Sequence, residues 1–272
     1  MLKAVDNYLL PIQSSCWKER DVQLSERGIK LKWFIHFLYE CAREISEMWR
    51  LHRRDKEASF WRDFPEPPEP IYSDRYFKTR EFVKTFILPL THQIKAPLYA
   101  RIPPEQRGSP SVFISHTWDS YLISEAHGSL EMVYDYGLKG DHDACVWLDV
   151  VCYNQHIIGH PALDMNVVVS AMDSIAFAVT HSSPFFQRSW CLWELICAQR
   201  SGIYTNFCDQ SLRIQRKYFS SEAHLYPPEF TSVSDAVATK KSDQADIMNA
   251  IIAAFGTISA ADDFIRAAIS RD

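Results

Sequence analysis

The chain has 272 residues and a formal net charge of -5, with 47% hydrophobic and 23% charged residues. This composition excludes a disordered chain and a coiled coil, and it predicts a globular protein of one large domain or two small ones. No apolar run approaches the ~20 residues that span a bilayer, and the first residues lack the apolar segment of a signal peptide, so we expect a soluble, cytoplasmic protein.

The first third of the chain is predicted to be mainly helical. Apolar side chains recur at helical spacing over residues 25–51, and Ser25 is a candidate N-cap for this helix. The segment PEPPEP, residues 65–70, cannot continue a helix and is expected to be an extended spacer. A second helix is expected over residues 79–91, with Pro89 bending or ending it.

A linker is predicted next, because residues 102–110 (IPPEQRGSP) are rich in proline and also contain glycine. We therefore divide the chain into a helical N-terminal extension, residues 1–107, and an α/β domain, residues 108–272. The extension carries many apolar and aromatic side chains that need a cover, so we expect it to pack on the second part.

Short apolar runs alternate with helix-like segments after residue 107. The predicted strands are 111–115, 144–149, 175–180, 203–207 and 231–238. The predicted helices are 121–136, 162–172, 189–200, 242–255 and 260–270. This alternation is typical of an open, mainly parallel sheet with helices on both faces. Ligands of such sheets bind at the carboxyl ends of the strands, where the strand order reverses.

Charge is unevenly distributed along the chain. The balance of charged residues is +3 up to Glu105 and -8 after it, and residues 108–210 contain only three cationic side chains, Lys139, Arg188 and Arg200. Such a region is poorly suited to follow a polyphosphate backbone, which argues against a nucleic-acid partner. An anionic dinucleotide would have to be held mainly by backbone amides, by Arg188 or by residues of the N-terminal extension.

Three segments follow the predicted strands and carry a family resemblance. VFISHTWD (residues 112–119) resembles the first strand and following loop of the Toll/interleukin receptor (TIR) domain, and VWLD (146–149) with the loop after it resembles its second strand and BB loop. SSPFFQRSWCLWEL (182–195) carries the W-C-x-x-E-L pattern typical of its third loop and helix. The resemblance covers roughly residues 111–202 and extends more weakly to 271. The BB loop, residues 150–161, lacks the family's arginine–aspartate and proline–glycine pattern.

The resemblance implies a flavodoxin-like sheet of five parallel strands and, in the family's enzymatic branch, cleavage of the nicotinamide–ribose bond of NAD. By match to the motif, the catalytic carboxylate is Glu194. The pyridinium leaving group needs no proton, so one carboxylate that stabilises an oxocarbenium-like sugar suffices. The products would be nicotinamide and ADP-ribose or a cyclic variant, with NAD as substrate and no cofactor. The resemblance also implies self-association and a role in nucleotide signalling, innate immunity or cell death.

Six further residues are candidates for binding the substrate: Ser115, His116, Trp118, Asp149, Arg188 and Trp190. Trp118 and Trp190 offer rings for nicotinamide or adenine, or else pack in the core or at the rim. His116 could donate a hydrogen bond. Arg188 precedes a helix N-terminus, where a pyrophosphate is favoured. Asp149 either caps its loop or contacts the ligand, and the cap is the preferred interpretation.

Metal and thiol chemistry are both disfavoured. The side chains that suggest metal ligands are His142, Cys145, Cys152, His156 and His160. Seven extended residues separate Cys145 from Cys152 by ~23 Å, whereas thiolates lie ~2.3 Å from a shared zinc, so no metal site is predicted.

Cys152 or Cys191 paired with His156 or His181 could form a thiol nucleophile. Most of the seven cysteines lie in apolar segments, however, and buried reduced thiols are the better interpretation.

Two functions of other classes stay open. A non-catalytic TIR-like scaffold would act by self-association alone, and a BB-loop change such as Tyr153→Ala or Asn154→Ala would then disrupt its assembly. A nucleoside deoxyribosyltransferase-like enzyme would share the flavodoxin-like sheet and a glutamate carried on a helix. Turnover of nucleosides without turnover of NAD would favour that alternative.

Overall fold

The computed structural model describes residues 5, 7–11, 22–54, 78–122, 129–141, 143–157, 161–179, 185–209, 230–238 and 241–269. They form an α/β fold around a mixed sheet of six strands. The strands are β1 (Gly28–Lys30), β2 (Arg107–Gly108), β3 (Val112–Ser115), β4 (Cys145–Trp147), β5 (Ser174–Val179) and β6 (Tyr204–Asp209). Outside the described residues lie the PEPPEP segment, part of the predicted helix 121–136, and Cys16, His142, His160 and His181.

Four parallel strands make up the centre of the sheet. β3 pairs with β4 on one side and with β5 on the other, and β6 follows β5. Every residue of β3 is buried, as expected for a short apolar run covered on both faces. The chain runs from β3 to β4 and then back past β3 to β5. The strand order therefore reverses between β3 and β5, and this is where a ligand crevice is expected.

Two antiparallel strands extend the sheet beyond β4. β1 lies between β2 and β4, with Ile29 opposite both Arg107 and Val146. The prediction of five parallel strands is therefore wrong in strand number, and β1 runs opposite to the other five strands. The sequence did not predict β1 and β2, because strands of three and two residues are too short to show the alternation of apolar and polar residues that marks a strand. The N-terminal extension, predicted as mainly helical, supplies both strands apart from Gly108.

The predicted strand at 231–238 is also wrong. This segment forms a 3-10 turn, Val233–Asp235, followed by a single parallel bridge between Val237 and Arg188. The turn is held by a carboxylate, because the backbone N–H of Val233 donates to Asp262 Oδ1 over 2.8 Å. The four other predicted strand runs are confirmed, with ends that shift by at most two residues.

Helices cover the sheet and confirm most of the helical predictions. α1 is Leu31–Arg54, α4 is Asp149–Cys152, α5 is Pro161–Ser170, α6 is Ser189–Ser201, α7 is Lys241–Phe255 and α8 is Ile258–Ile269. α2 and α3 each contain a π-helical turn: α2 comprises Thr79–Phe82, Val83–Ile87 and Leu88–Thr91, and α3 comprises Ser129–Met132 and Val133–Gly137. The first predicted helix begins at Leu31 rather than near Ser25, because a 3-10 turn and β1 precede it.

One hydrophobic core joins the two parts of the chain. Phe34 and Phe37 on α1 pack against Phe82 on α2, and the same buried cluster continues to Trp147 on β4. Polar contacts reinforce the junction, because the indole N–H of Trp147 donates to the carbonyl of Leu24 over 2.9 Å. The predicted boundary at 107/108 thus falls between segments that share a sheet and a core.

Gly28→Ala is expected to destabilise the fold by about 1–3 kcal/mol, because the backbone of the neighbouring segment leaves no room for a Cβ at this residue. A Cβ at Gly28 would meet the carbonyl of Gly108 and lie 2.6 Å from the nitrogen of Pro110. Gly108→Ala is the matched control, because a Cβ there would meet only the sulfur of Cys145, at 2.7 Å, which can rotate away. Urea unfolding should show the larger loss for Gly28→Ala, and equal losses would contradict this packing.

The helices were also compared with the requirements of a membrane span. Within the described residues, no single helix is both long enough and apolar enough to cross a bilayer. α7 and α8 meet these requirements only when taken together, and they are bent by 85° relative to each other.

Candidate active site

A buried carboxyl group lies beside the point where the strand order reverses. Glu194 is on the second turn of α6, the helix that follows β5, and it is only 8% exposed. Ser115, the last residue of β3, donates its hydroxyl to Glu194 Oε2 over 2.5 Å. Among the described residues, no Lys, Arg or His nitrogen forms an ion pair with this carboxyl. The carboxyl group therefore has one neutral hydrogen-bond donor and no cation.

Burial sets the protonation state of Glu194. The pKa of Glu194 is raised from 4.5 to about 8, mainly because burial removes its solvation; the hydrogen bond from Ser115 lowers the pKa and the negative charge of Asp149 raises it. The carboxyl group is therefore mostly protonated at pH 7. A positively charged ligand would favour ionisation, because a nearby opposite charge stabilises the carboxylate.

A second group of polar side chains lies at the carboxyl ends of β3 and β4. Trp118 donates its indole N–H to Asp149 Oδ2 over 2.8 Å, and the backbone N–H of Val150 donates to Asp149 Oδ1 over 2.7 Å. Asp149 is the first residue of α4, and its carboxylate accepts from the backbone N–H of the residue after it rather than acting as the N-cap, which is Leu148. His116 Nε2 lies 3.8 Å from Asp149 Oδ1, and burial lowers the pKa of the His116 ring, so the ring is neutral at pH 7.

The N-terminal extension reaches the loop after β3. The backbone N–H of Arg80 on α2 donates to the carbonyl of Trp118, and its guanidinium group forms an ion pair with Asp119. Arg188, the candidate for a pyrophosphate, lies 4.0 Å from the other carboxylate oxygen of Asp119. The two cations that the structure places near the site thus share one carboxylate.

The start of α6 is partly covered by the segment before α7. The backbone N–H of Ser189 donates to the carbonyl of Val237, so one of the amides that an anion would use is already bound. Trp190 donates its indole N–H to Asp243 on α7 over 3.4 Å. Its polar edge therefore faces α7, whereas the carboxyl group of Glu194, one turn later, faces β3. The structure does not bring these two polar groups together.

Part of the BB-loop segment is structural rather than exposed. Asn154 is only 4% exposed, and its amide donates to the carbonyl of Lys95 over 2.8 Å. The side-chain oxygen of Asn154 in turn accepts a hydrogen bond from the backbone N–H of His156. Asn154→Ala would therefore disturb the fold and is not a clean test of self-association, whereas Ile157, 43% exposed, is a suitable surface position.

The thiols next to the site are not activated. Burial raises the pKa of Cys152 to about 12 and holds the pKa of Cys191 well above its ordinary value, with the charge of Glu194 acting in the same direction. Both thiols donate to backbone carbonyls, of Arg27 and of His116. A thiol nucleophile needs a lowered pKa, so neither cysteine is suited to that role.

Two other kinds of site were examined over the described part of the chain. Its His, Cys, Asp and Glu side chains form no cluster of three or more that could hold a metal ion. An open cavity of about 340 Å³ is lined by Lys30, Lys32, Trp33, His36, Gln106 and Asp143. Lys30 pairs with Cys145 at the start of β4, so this cavity lies at the amino end of the parallel strands. It is therefore at the opposite edge of the sheet from Glu194.

Comparison of the chain with protein-family models, with curated proteins and with solved structures found no match to any of them.

The candidate residues that the sequence did not indicate are Arg80, Asp119 and Gln155. Gln155 donates its amide to the carbonyl of Asp149 over 2.9 Å. Asp119 was visible as the end of the SHTWD segment, but its partner on α2 is 39 residues away and no local pattern links them.

Proposed function

We propose that the chain is a TIR-like NAD nucleosidase that cleaves the nicotinamide–ribose bond, with Glu194 as the catalytic carboxylate. The observation that carries the proposal is a buried carboxyl group without a cationic partner, placed where the strand order reverses. The parallel order β4-β3-β5-β6 supports a flavodoxin-like core, to which β1 and β2 would be additions. A site of this kind suits a substrate that is itself positively charged at the reacting group.

The bond breaks without help from an acid. The electron pair of the bond between ribose C1′ and the ring nitrogen moves to the pyridinium, which leaves as neutral nicotinamide, and the positive charge passes to the ribose. The carboxylate of Glu194 stabilises that charge electrostatically in a site shielded from water. Water then adds to C1′ and loses a proton, and a carboxylate with a raised pKa is a suitable acceptor for it.

Ionisation of Glu194 is the step that the site must control. Without a bound cation the carboxyl is mostly the neutral acid at pH 7, because its pKa is about 8. The positive charge of the bound nicotinamide ring would shift the equilibrium toward the carboxylate. Ser115 would support the same shift, because its hydroxyl donates to the carboxyl and favours the charged form.

The wider proposal assigns the remaining candidates to substrate binding. Trp118 and Trp190 would contact the ring systems, Arg188 the pyrophosphate, and Asp149 with His116 the sugar. Each of these side chains has a place at the carboxyl ends of β3 and β4 or at the start of α6. The proposal further includes self-association, a cytoplasmic setting, and a role in signalling, immunity or cell death, with no cofactor.

The purified chain incubated with NAD tests the proposal directly. Nicotinamide and ADP-ribose or its cyclic variant should appear on chromatography, and the rate should be followed over a range of protein concentrations, because self-association would raise it. Nucleosides run in parallel separate this reaction from that of a deoxyribosyltransferase-like enzyme. If NAD stays intact at every protein concentration, the nucleosidase proposal is wrong.

Ser115→Ala is expected to move the pH dependence of NAD cleavage upward. The hydroxyl of Ser115 lowers the pKa of Glu194, so its loss leaves a smaller fraction of carboxylate at any pH below the new midpoint. The pH profile of kcat/KM, which reports the free enzyme, should shift to higher pH than in the wild type. Ser120→Ala is the control, because that buried hydroxyl donates to the carbonyl of Thr117 instead. Identical profiles for Ser115→Ala and the wild type would refute the assigned role of Ser115.

A further inference from the structure

One buried polar atom near the site has no hydrogen-bond partner. Among the buried side-chain nitrogen and oxygen atoms of the described residues, it is Nε2 of His116. The side chain of His116 is only 1% exposed. Folded proteins satisfy nearly all buried polar atoms, so a single exception next to a ligand crevice requires a specific explanation.

The ring of His116 is neutral, and Nε2 is an acceptor. A hydrogen bond with the backbone of Ile114 raises the pKa of the ring, as expected when a ring N–H donates to a carbonyl. Because Nε2 has no partner, this N–H is assigned to Nδ1, and a neutral imidazole carries only one. Nε2 therefore presents a lone pair. Burial lowers the pKa of the ring more than Asp149 raises it, which keeps this state at pH 7.

A second acceptor lies near Nε2. Asp149 Oδ1 lies 3.8 Å from Nε2, which is too far for a hydrogen bond. Neither atom carries a proton that it could donate, because one belongs to a carboxylate and the other is the unprotonated nitrogen of a neutral ring. The Asp149 carboxylate accepts from Trp118 and from Val150, and its oxygens retain further lone pairs. Two acceptors on neighbouring strand ends thus face each other and need donors from elsewhere.

A ligand can supply those donors from the side of Asp149. The side chain of Asp149 is 29% exposed, whereas that of His116 is covered, so the carboxylate forms the open side of the pair. Two adjacent acceptors match two adjacent hydroxyl groups, each of which donates one proton. We propose that His116 Nε2 and Asp149 form a subsite that accepts hydrogen bonds from the vicinal diol of a ribose.

The choice of ribose rests on the proposed function, because that function supplies a ribose as the reacting group. His116 directly follows Ser115, whose hydroxyl holds Glu194, so the subsite adjoins the carboxyl group that would act on C1′. In this assignment His116 and Asp149 hold the sugar, and Glu194 performs the bond-breaking step. The subsite can therefore be tested by binding alone, without turnover.

Binding of ADP-ribose, measured by titration calorimetry, tests the subsite with a ligand that is not consumed. His116→Phe keeps a ring but removes the acceptor, and it should weaken binding about tenfold. Asp149→Asn should also weaken binding, because it replaces one carboxylate oxygen with an NH₂ group. His92→Phe is the matched control, since that exposed ring contacts Lys95 and should leave binding unchanged. Thermal unfolding of each variant shows that it is folded.

An analogue of ADP-ribose without the 2- and 3-hydroxyls of the terminal ribose identifies the recognised group. The wild type should bind it more weakly than ADP-ribose, and the ratio of the two affinities should be smaller for His116→Phe, in which only Asp149 is left to accept from the diol. If His116→Phe leaves the ratio of the two affinities unchanged, or if ADP-ribose does not bind to the wild type, the subsite does not exist. A buried water would then be the partner of Nε2.

NAD turnover measured on the same samples separates the two proposals. A wild type that binds ADP-ribose through His116 but releases no nicotinamide would retain the subsite and refute the nucleosidase reaction. A wild type that cleaves NAD while His116→Phe leaves the affinity ratio unchanged would refute the subsite and retain the reaction.

Discussion

Glu194→Gln is expected to reduce nicotinamide release from NAD by about a thousandfold. Glutamine keeps the size of the side chain and can still accept the hydrogen bond from Ser115, but it cannot carry a negative charge. The charge on the ribose would then develop in a buried site without a counter-ion, and losing one such preorganised group typically costs 10²–10³ in rate. The loss should appear in kcat as well as in kcat/KM, because the ribose is charged only in the transition state.

Glu105→Gln is the matched control for this substitution. Glu105 is exposed in the 3-10 turn Pro104–Gln106, which precedes the edge strand β2, and its neutralisation should leave the rate unchanged. If Glu194→Gln retained wild-type turnover while Glu105→Gln behaved as expected, the catalytic carboxylate would have to be another residue. Circular dichroism of both variants excludes a general loss of fold.

The same substitution is expected to change how stability depends on pH. The pKa of Glu194 is about 8 in the folded chain and near 4.5 in the unfolded chain. Between these values the unfolded chain is ionised and the folded chain holds the proton, so the free energy of unfolding of the wild type falls as pH rises, by about 1.4 kcal/mol per pH unit. The loss sets in near pH ~4.5 and is nearly complete above pH ~8; it amounts to about 5 kcal/mol in total, of which about 4 kcal/mol falls between pH ~4.5 and pH ~8.5.

Glutamine has no such proton, so the variant should lack this part of the pH dependence. The difference in unfolding free energy between Glu194→Gln and the wild type should grow in favour of the variant by about 4 kcal/mol between pH 4.5 and pH 8.5. Taking the difference cancels other titrating groups, including His116, whose lowered pKa acts at the acid end. Urea unfolding at a series of pH values measures it. If the curves of unfolding free energy against pH are parallel for the two proteins, Glu194 is not a buried acid with a raised pKa.

The central strands were predictable because the local sequence, a short run of apolar residues, is enough to favour a buried strand. VFIS and the run ending in Val146 and Trp147 are buried on both faces, and a short run of β-branched and aromatic residues has few other stable places. β1 was not predictable, because Gly28, Ile29 and Lys30 form a strand only where β2 and β4 pair with them. The strand predicted at 231–238 was wrong because its local pattern is overruled by a distant contact: the segment forms a turn that is held by Asp262.

The candidate site divides in the same way. Glu194 was indicated by a local motif, and Ser115 by its place at a strand end. Their hydrogen bond joins residues 79 positions apart and depends on how α6 lies against β3. The missing partner of His116 Nε2 is likewise a property of packing, since the same residue on a more open loop would be solvated. Sequence indicated which groups are present, and the fold determines their protonation and their contacts.

The pH profile of kcat/KM for NAD cleavage by the wild-type chain tests the central claim most directly. Nicotinamide release should rise about tenfold per pH unit from pH 6 and level off above pH ~8, because the fraction of free enzyme with an ionised Glu194 follows that course. A profile that is flat or falling over this range, or no nicotinamide at any pH, would contradict the claim that a buried Glu194 must ionise to cleave NAD.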